Sequence, residues 1–143
     1  MRTVQSIEEL NIPLEYQSYI SNYIDNLSAI PYISRVILFG SCARESVTRY
    51  SDIDIFITVN REISLDEEVL IVCDSRPPYS ENTLPLDILV QSEEKFSQYI
   101  DTFGMVQKQV YREGVELSGS FIRRRIESAR KYFNESRYPY AAT

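Results

Sequence analysis

Histidine is missing from all 143 residues of the chain. That absence removes Ser-His and Cys-His nucleophile systems, and every imidazole-ligated metal, in one step. Cysteine is nearly as scarce. Cys42 and Cys73 stand alone without CxxC spacing, so neither a disulfide framework nor a zinc knuckle is expected. Two free thiols suit a reducing cytoplasm. Long hydrophobic runs are lacking as well. A stretch such as Val36 to Phe39 is far too short to cross a bilayer, and no basic-then-apolar leader opens the chain. With imidazole and paired thiolates gone, a metal site has to be built from oxygen ligands, which suits magnesium, calcium or manganese.

An excess of positive charge is also wanting. The formal net charge is −6, and it is unevenly spread. Residues 1–120 hold nine basic and nineteen acidic side chains, whereas residues 121–143 hold six basic and two acidic. The acidic body disfavours tight, sequence-independent binding to nucleic acid, which needs many phosphate-neutralising cations. The basic stretch leaves a local contact with an acidic partner open. What remains is ordinary: 43% apolar residues, enough to bury a real core in a single domain spanning 1–143.

Tyr16, Tyr19, Ile20, Tyr23, Ile24 and Leu27 recur at helical steps, predicting a helix over about 12–30. Asn11 and Pro13 suit its first turn and Pro31 stops it. A β run, RVILF, then ends at Gly40-Ser41. A second, DIDIFITV, sets Ile53, Ile55, Ile57 and Val59 on one face, with Asp52, Asp54, Phe56 and Thr58 on the other. LDEEVLIVC is readable as helix or strand, and its first half is read as helix. A third β run, LPLDILV, carries Asp87 with Leu89 opposite Leu86, Ile88 and Val90. One or two short helices over 93–112 end near Gly114, and a basic helix is expected over about 120–136. The fold class is therefore α/β (α+β): a small mixed sheet with helices on one face and a core over about 33–118.

Asp52 and Asp54 are a costly pair. Two carboxylates on one strand face repel each other and resist desolvation unless a cation lies between them. Positions i and i+2 converge at the mouth of a sheet, and Asp87 joins them if the two strands are neighbours. Three carboxylates around divalent ions form the two-metal arrangement that moves phosphoryl and nucleotidyl groups. Gly40 allows a tight strand-to-helix turn, where the Ser41 hydroxyl and nearby amides can hold phosphate oxygens. Arg44, one turn further on, is readable as a bidentate phosphate ligand or as a surface cation.

LFGSCARESVTRYSDIDIFI resembles the signature of the DNA polymerase β-like nucleotidyltransferase superfamily. Within it the likeness is greatest to the minimal nucleotidyltransferases usually paired with HEPN-domain partners, and QVYREGVELSG resembles the segment that closes those domains. The resemblance covers roughly residues 33–118. It implies a polymerase β-like fold, with Gly40 and Ser41 on the triphosphate of ATP or another NTP. It also implies Asp52, Asp54 and Asp87 on Mg²⁺ (two ions, Mn²⁺ as a substitute), with Asp87 as general base. The family often has Arg-Gly where this chain has Arg44-Glu45. The implied activity is transfer of a nucleoside monophosphate, AMP from ATP, to a hydroxyl of a protein such as a HEPN-type toxin, in an antitoxin role. Two alternatives stand beside it: a small-molecule enzyme of the aminoglycoside or lincosamide type, and a non-catalytic module that neutralises its partner by occlusion.

Overall fold

The computed structural model describes residues 1–117, so the basic helix expected over 120–136 lies outside the described residues. In chain order the elements are β1 (Arg2–Thr3), a 3-10 turn, α1 (Leu14–Leu27), β2 (Ile33–Phe39), α2 (Gly40–Ala43), β3 (Ile53–Val59) and α3 (Leu65–Val69). A π-helical turn (Leu70–Asp74) follows, then β4 (Leu86–Ser92), α4 (Glu93–Tyr99), α5 (Val106–Glu113) and β5 (Val115–Glu116). The strands form one sheet in the order β1-β5-β2-β3-β4. β2 is antiparallel to β3 and β5, while β1–β5 and β3–β4 are parallel. It is a mixed α/β sheet, as the patterning predicts.

The main core lies on the isoleucine face. Ile53, Ile55, Ile57 and Val59 of β3 pack there with Val36 and Leu38 of β2 and with Tyr16, Ile20, Tyr23, Ile24 and Leu27 of α1. Burying these side chains is the dominant favourable term, at about 1.5–3 kcal/mol for each large one. The Tyr23 hydroxyl, inside this core, donates to the Ile71 carbonyl at 2.7 Å and ties the π-helical turn to α1. Tyr23→Phe is expected to cost about 1–2 kcal/mol in a denaturant titration, because the Ile71 carbonyl is left unpaired.

Helices on one face is the expectation the structure corrects, for they lie on both. Phe56 projects from β3 on the aspartate side and Ile37 from β2, and neither can be left in water. Phe96 of α4 and Val110 of α5 cover them in a second, smaller cluster. The two phenyl rings sit 5.0 Å apart. A polar clamp holds α4 there. Glu93 accepts from Arg35 Nε at 2.7 Å and from its Nη2, and from the Thr58 hydroxyl at 2.6 Å. The Arg35 guanidinium beside it, then Thr58, holds the Glu93 carboxyl below its ordinary value. A depressed carboxylate pKa contributes stability that is present above the unfolded value and lost as pH falls through the folded one. Glu93→Gln is therefore expected to cost about 1 kcal/mol at neutral pH, discounted for part exposure, with the difference from the unsubstituted chain vanishing in melts run at acid pH.

Ser64 caps α3 with a full capping box: it accepts from Glu67 N–H, and the Glu67 side chain accepts from Ser64 N–H. At the end of α5, a Cβ on Gly114 would meet the Val110 carbonyl and Ile37. Only glycine lets the chain turn there into β5 and pair with β2.

Candidate active site

β2 runs straight into α2 at Gly40, whose φ is +70°. This left-handed turn follows Phe39, which pairs with Asp54 of β3. A Cβ on Gly40 would overlap Oδ2 of Asp54 and stand 3.2 Å from its Cγ. The backbone of the Gly-Ser turn and the Asp54 carboxylate are thus in direct contact, and glycine is the residue that permits it.

Asp54 is the second residue of β3 and Asp87 the second of β4, and the parallel register sets them side by side. Directly paired residues project from the same face of neighbouring strands about 4.8 Å apart. Asp52 sits just before β3 begins at Ile53. Its segment is fixed from three directions. The Tyr16 hydroxyl donates to the Ser51 carbonyl at 2.8 Å, Ile53 N–H donates to the Pro85 carbonyl at 2.8 Å, and the Cys42 thiol lies 3.9 Å from the Asp52 carbonyl. Cys42 is fully buried and its thiol is pushed up to about 12, first by burial and then by Asp54, so it is no nucleophile.

The electrostatics converge on Asp54. Burial, then Asp87, then Asp52 raise its carboxyl above the ordinary value, while Arg44 opposes them. An acid held up by burial and then by two neighbouring acids is a site short of positive charge. Oxygen donors that gain from a hard divalent cation fit such an ion. Among the described residues, no group of three or more His, Cys, Asp or Glu side chains is already gathered as a cation cage.

Arg44 closes α2 and is half-exposed, 3.5 Å from Glu113 at the end of α5. Ser41 stands in the first turn of α2, and among the described residues its hydroxyl has no partner. Of the six residues singled out in the sequence, Gly40, Asp54 and Asp87 are brought into one cluster. Asp52 and Arg44 reach it through their charge on Asp54, and Ser41 flanks it.

Sequence reasoning missed two features. Glu113 holds Arg44, and nothing in the spacing signals that contact. Glu45 has φ +57°, so it occupies a left-handed turn position that favours glycine, and its carboxylate is held below its usual value by Arg2 and by the Asn11 backbone. The Arg-Gly pattern of the similar family gives a physical hint of that turn. A groove of about 470 Å³ between α1 and residues 81–84 contains none of the six residues in its lining.

The fold is a mixed sheet whose strand ends set acidic side chains against a Gly-Ser turn. The particular family is shown by the sequence: residues 20–132 match the nucleotidyltransferase domain family, and the chain belongs to it. Its chemistry is nucleotidyl transfer. A proposed nucleotidyltransferase from Sulfolobus solfataricus, with a crystal structure at 1.40 Å, is similar over 64% of this chain and 78% of its own, at 21% identity and a TM-score of 0.45. That likeness is too remote to assign a role to any residue. No curated protein matches the chain in sequence. Among the described residues, no helix is long and apolar enough to cross a membrane.

Proposed function

We propose that this nucleotidyltransferase moves AMP from ATP, with Mg²⁺, to a hydroxyl of a partner protein. The observation that carries the reading is the paired register of Asp54 with Asp87, set against the glycine turn at Gly40. Asp52, Asp54 and Asp87 would hold the divalent cation, which when bound neutralises charge on the phosphates and favours the ionised form of the attacking oxygen. The chain's own groups do the rest. The Gly40–Ser41 turn offers backbone N–H groups and the Ser41 hydroxyl to the β- and γ-phosphates, and Arg44 leaves Glu113 to bind the same oxygens. Asp87, exposed at the sheet edge, takes the acceptor's proton. The acceptor oxygen bonds to the α-phosphorus, the bond from that phosphorus to the bridging oxygen breaks, and pyrophosphate leaves.

The resemblance of residues 33–118 to minimal nucleotidyltransferases supports an acceptor of HEPN type and an antitoxin role. An occlusion-only reading draws on Glu45 and on the basic stretch over 121–143, and the Glu45 carboxylate is taken up by Arg2 and by the Asn11 backbone. The test is label transfer in host lysate with Mg²⁺. Label from ATP marked at the α-phosphate is expected on a discrete protein band, and none from ATP marked at the γ-phosphate. Label from the γ-phosphate alone would indicate phosphoryl transfer and sink the proposal, as would label confined to small molecules.

A further inference from the structure

β4 is the last strand of the sheet, and among the described residues no strand pairs with its outer edge. The bond from Ile53 N–H to the Pro85 carbonyl sets the alternation along it. Asp87, Leu89 and Gln91 turn their backbone groups toward β3, whereas Leu86, Ile88 and Val90 turn theirs outward. Stable proteins blunt such an edge with proline, lysine, a bulge or sheer brevity. β4 does none of these. It is seven residues long, reads LDILVQS, and has one charge, Asp87. Leu89 is 44% exposed beside it.

We propose that this edge pairs antiparallel with the same edge of a second copy of the chain, about a twofold axis at Leu89, joining two five-stranded sheets into one. The strand's own sequence selects the register. Centred on Leu89, the outward-facing Ile88 forms a hydrogen-bonded pair with the partner's Val90, Leu89 meets the partner's Leu89, and Asp87 faces the partner's Gln91. Centred on Ile88 instead, Asp87 would be pressed against the partner's Leu89, which costs desolvation with nothing in return. The axis runs perpendicular to the sheet, so the aspartate faces of both copies stay on one side.

Gln91 is prepared for that neighbour. Its side-chain carbonyl accepts from Gln107 Nε2 at 3.1 Å, which leaves its NH₂ group without an acceptor among the described residues and free to donate to a carboxylate. The second copy thereby adds a hydrogen bond to the carboxylate given the role of base above. That consequence rests on the nucleotidyl-transfer reading; the pairing does not.

Light scattering on the full chain from about 1 to about 200 μM tests it. A single ribbon contact falls below the roughly 1,200 Å² of a standard interface, so twice the monomer mass is expected only in the upper part of that range. Leu89→Lys sets two ammonium groups against each other on the axis and should stay monomeric throughout. Its circular dichroism should be unchanged, because Leu89 is exposed. Leu89→Cys in a Cys73→Ser background should form a disulfide dimer under mild oxidation, since non-hydrogen-bonded cross-strand pairs have Cβ atoms about 4.5–5.5 Å apart. Gln91→Cys, which this register keeps far from its own copy, should not. A chain monomeric at about 200 μM overturns the proposal, as does a dimer that persists in Leu89→Lys or cross-links equally at position 91. No readout here involves nucleotide, so failure of the transfer reading would leave these results untouched.

Discussion

Asp54→Asn is expected to abolish nucleotidyl transfer while making the metal-free protein more resistant to heat. The loss of activity should be on the order of 10³-fold or more in kcat/KM, because the substitution removes a charge that nothing else on β3 can supply. The gain in stability follows from the sign of the Asp54 shift. Burial, Asp87 and Asp52 raise its pKa in the folded chain, so its ionised form is a cost of folding. That cost is absent below the ordinary value of about 3.8 and grows as pH rises through the folded value. In EDTA at pH 7 the variant should melt about 1–3 °C higher, an increment discounted for partial exposure. The gap should close as the pH approaches 4. Mg²⁺ should raise the melting temperature of the unsubstituted protein and leave the variant nearly unmoved. A variant that loses activity and stability together would identify Asp54 as a packing residue and remove the basis of the cation site.

Gly40→Ala should be nearly as damaging for a different reason. The left-handed backbone and the overlap of a new Cβ with Asp54 act together, for an expected cost of about 2–4 kcal/mol in chemical denaturation. Displacing the carboxylate by as little as about 1 Å should lower transfer about 10²-fold. Gly104 provides the control. Its φ is +80°, yet a Cβ there would meet nothing within 4 Å. Gly104→Ala should therefore incur only the backbone cost, about 1–2 kcal/mol, and leave transfer intact. Equal effects at the two glycines would show that contact with Asp54 is immaterial.

Much of this arrangement is legible in the sequence because its elements are periodic. α1 shows six apolar side chains at helical steps, and all six are buried. β3 alternates Ile53, Ile55, Ile57 and Val59 against Asp54 and Phe56, and the alternation by itself assigns the carboxylate to a face. The period also misleads. Phe56 shares the aspartate face and has to be covered, and α4 and α5 cover it, so the sheet has helices on both sides. β1 and β5 are two residues each, too short to carry any alternation. The adjacency of Asp54 and Asp87 depends on which strands are neighbours, a property of topology that no local pattern encodes. Arg44's contact with Glu113 and the turn at Glu45 are likewise matters of where distant segments end, and spacing is silent on both.

The parallel pairing of β3 with β4 also governs when the site can exist during folding. β2 and β3 are antiparallel neighbours joined by a short connection through α2, so they can meet early at a small entropic cost of loop closure. Asp87 reaches Asp54 only after the whole crossover through α3 and the π-helical turn has closed, and non-local parallel pairings of this kind are intrinsically slow. On a ribosome, a nascent chain that has emerged only as far as β3 carries Asp52, Asp54 and the Gly-Ser turn without their third carboxylate. Such a chain cannot assemble the proposed site, and competence to bind a cation through all three aspartates arrives in a single late step.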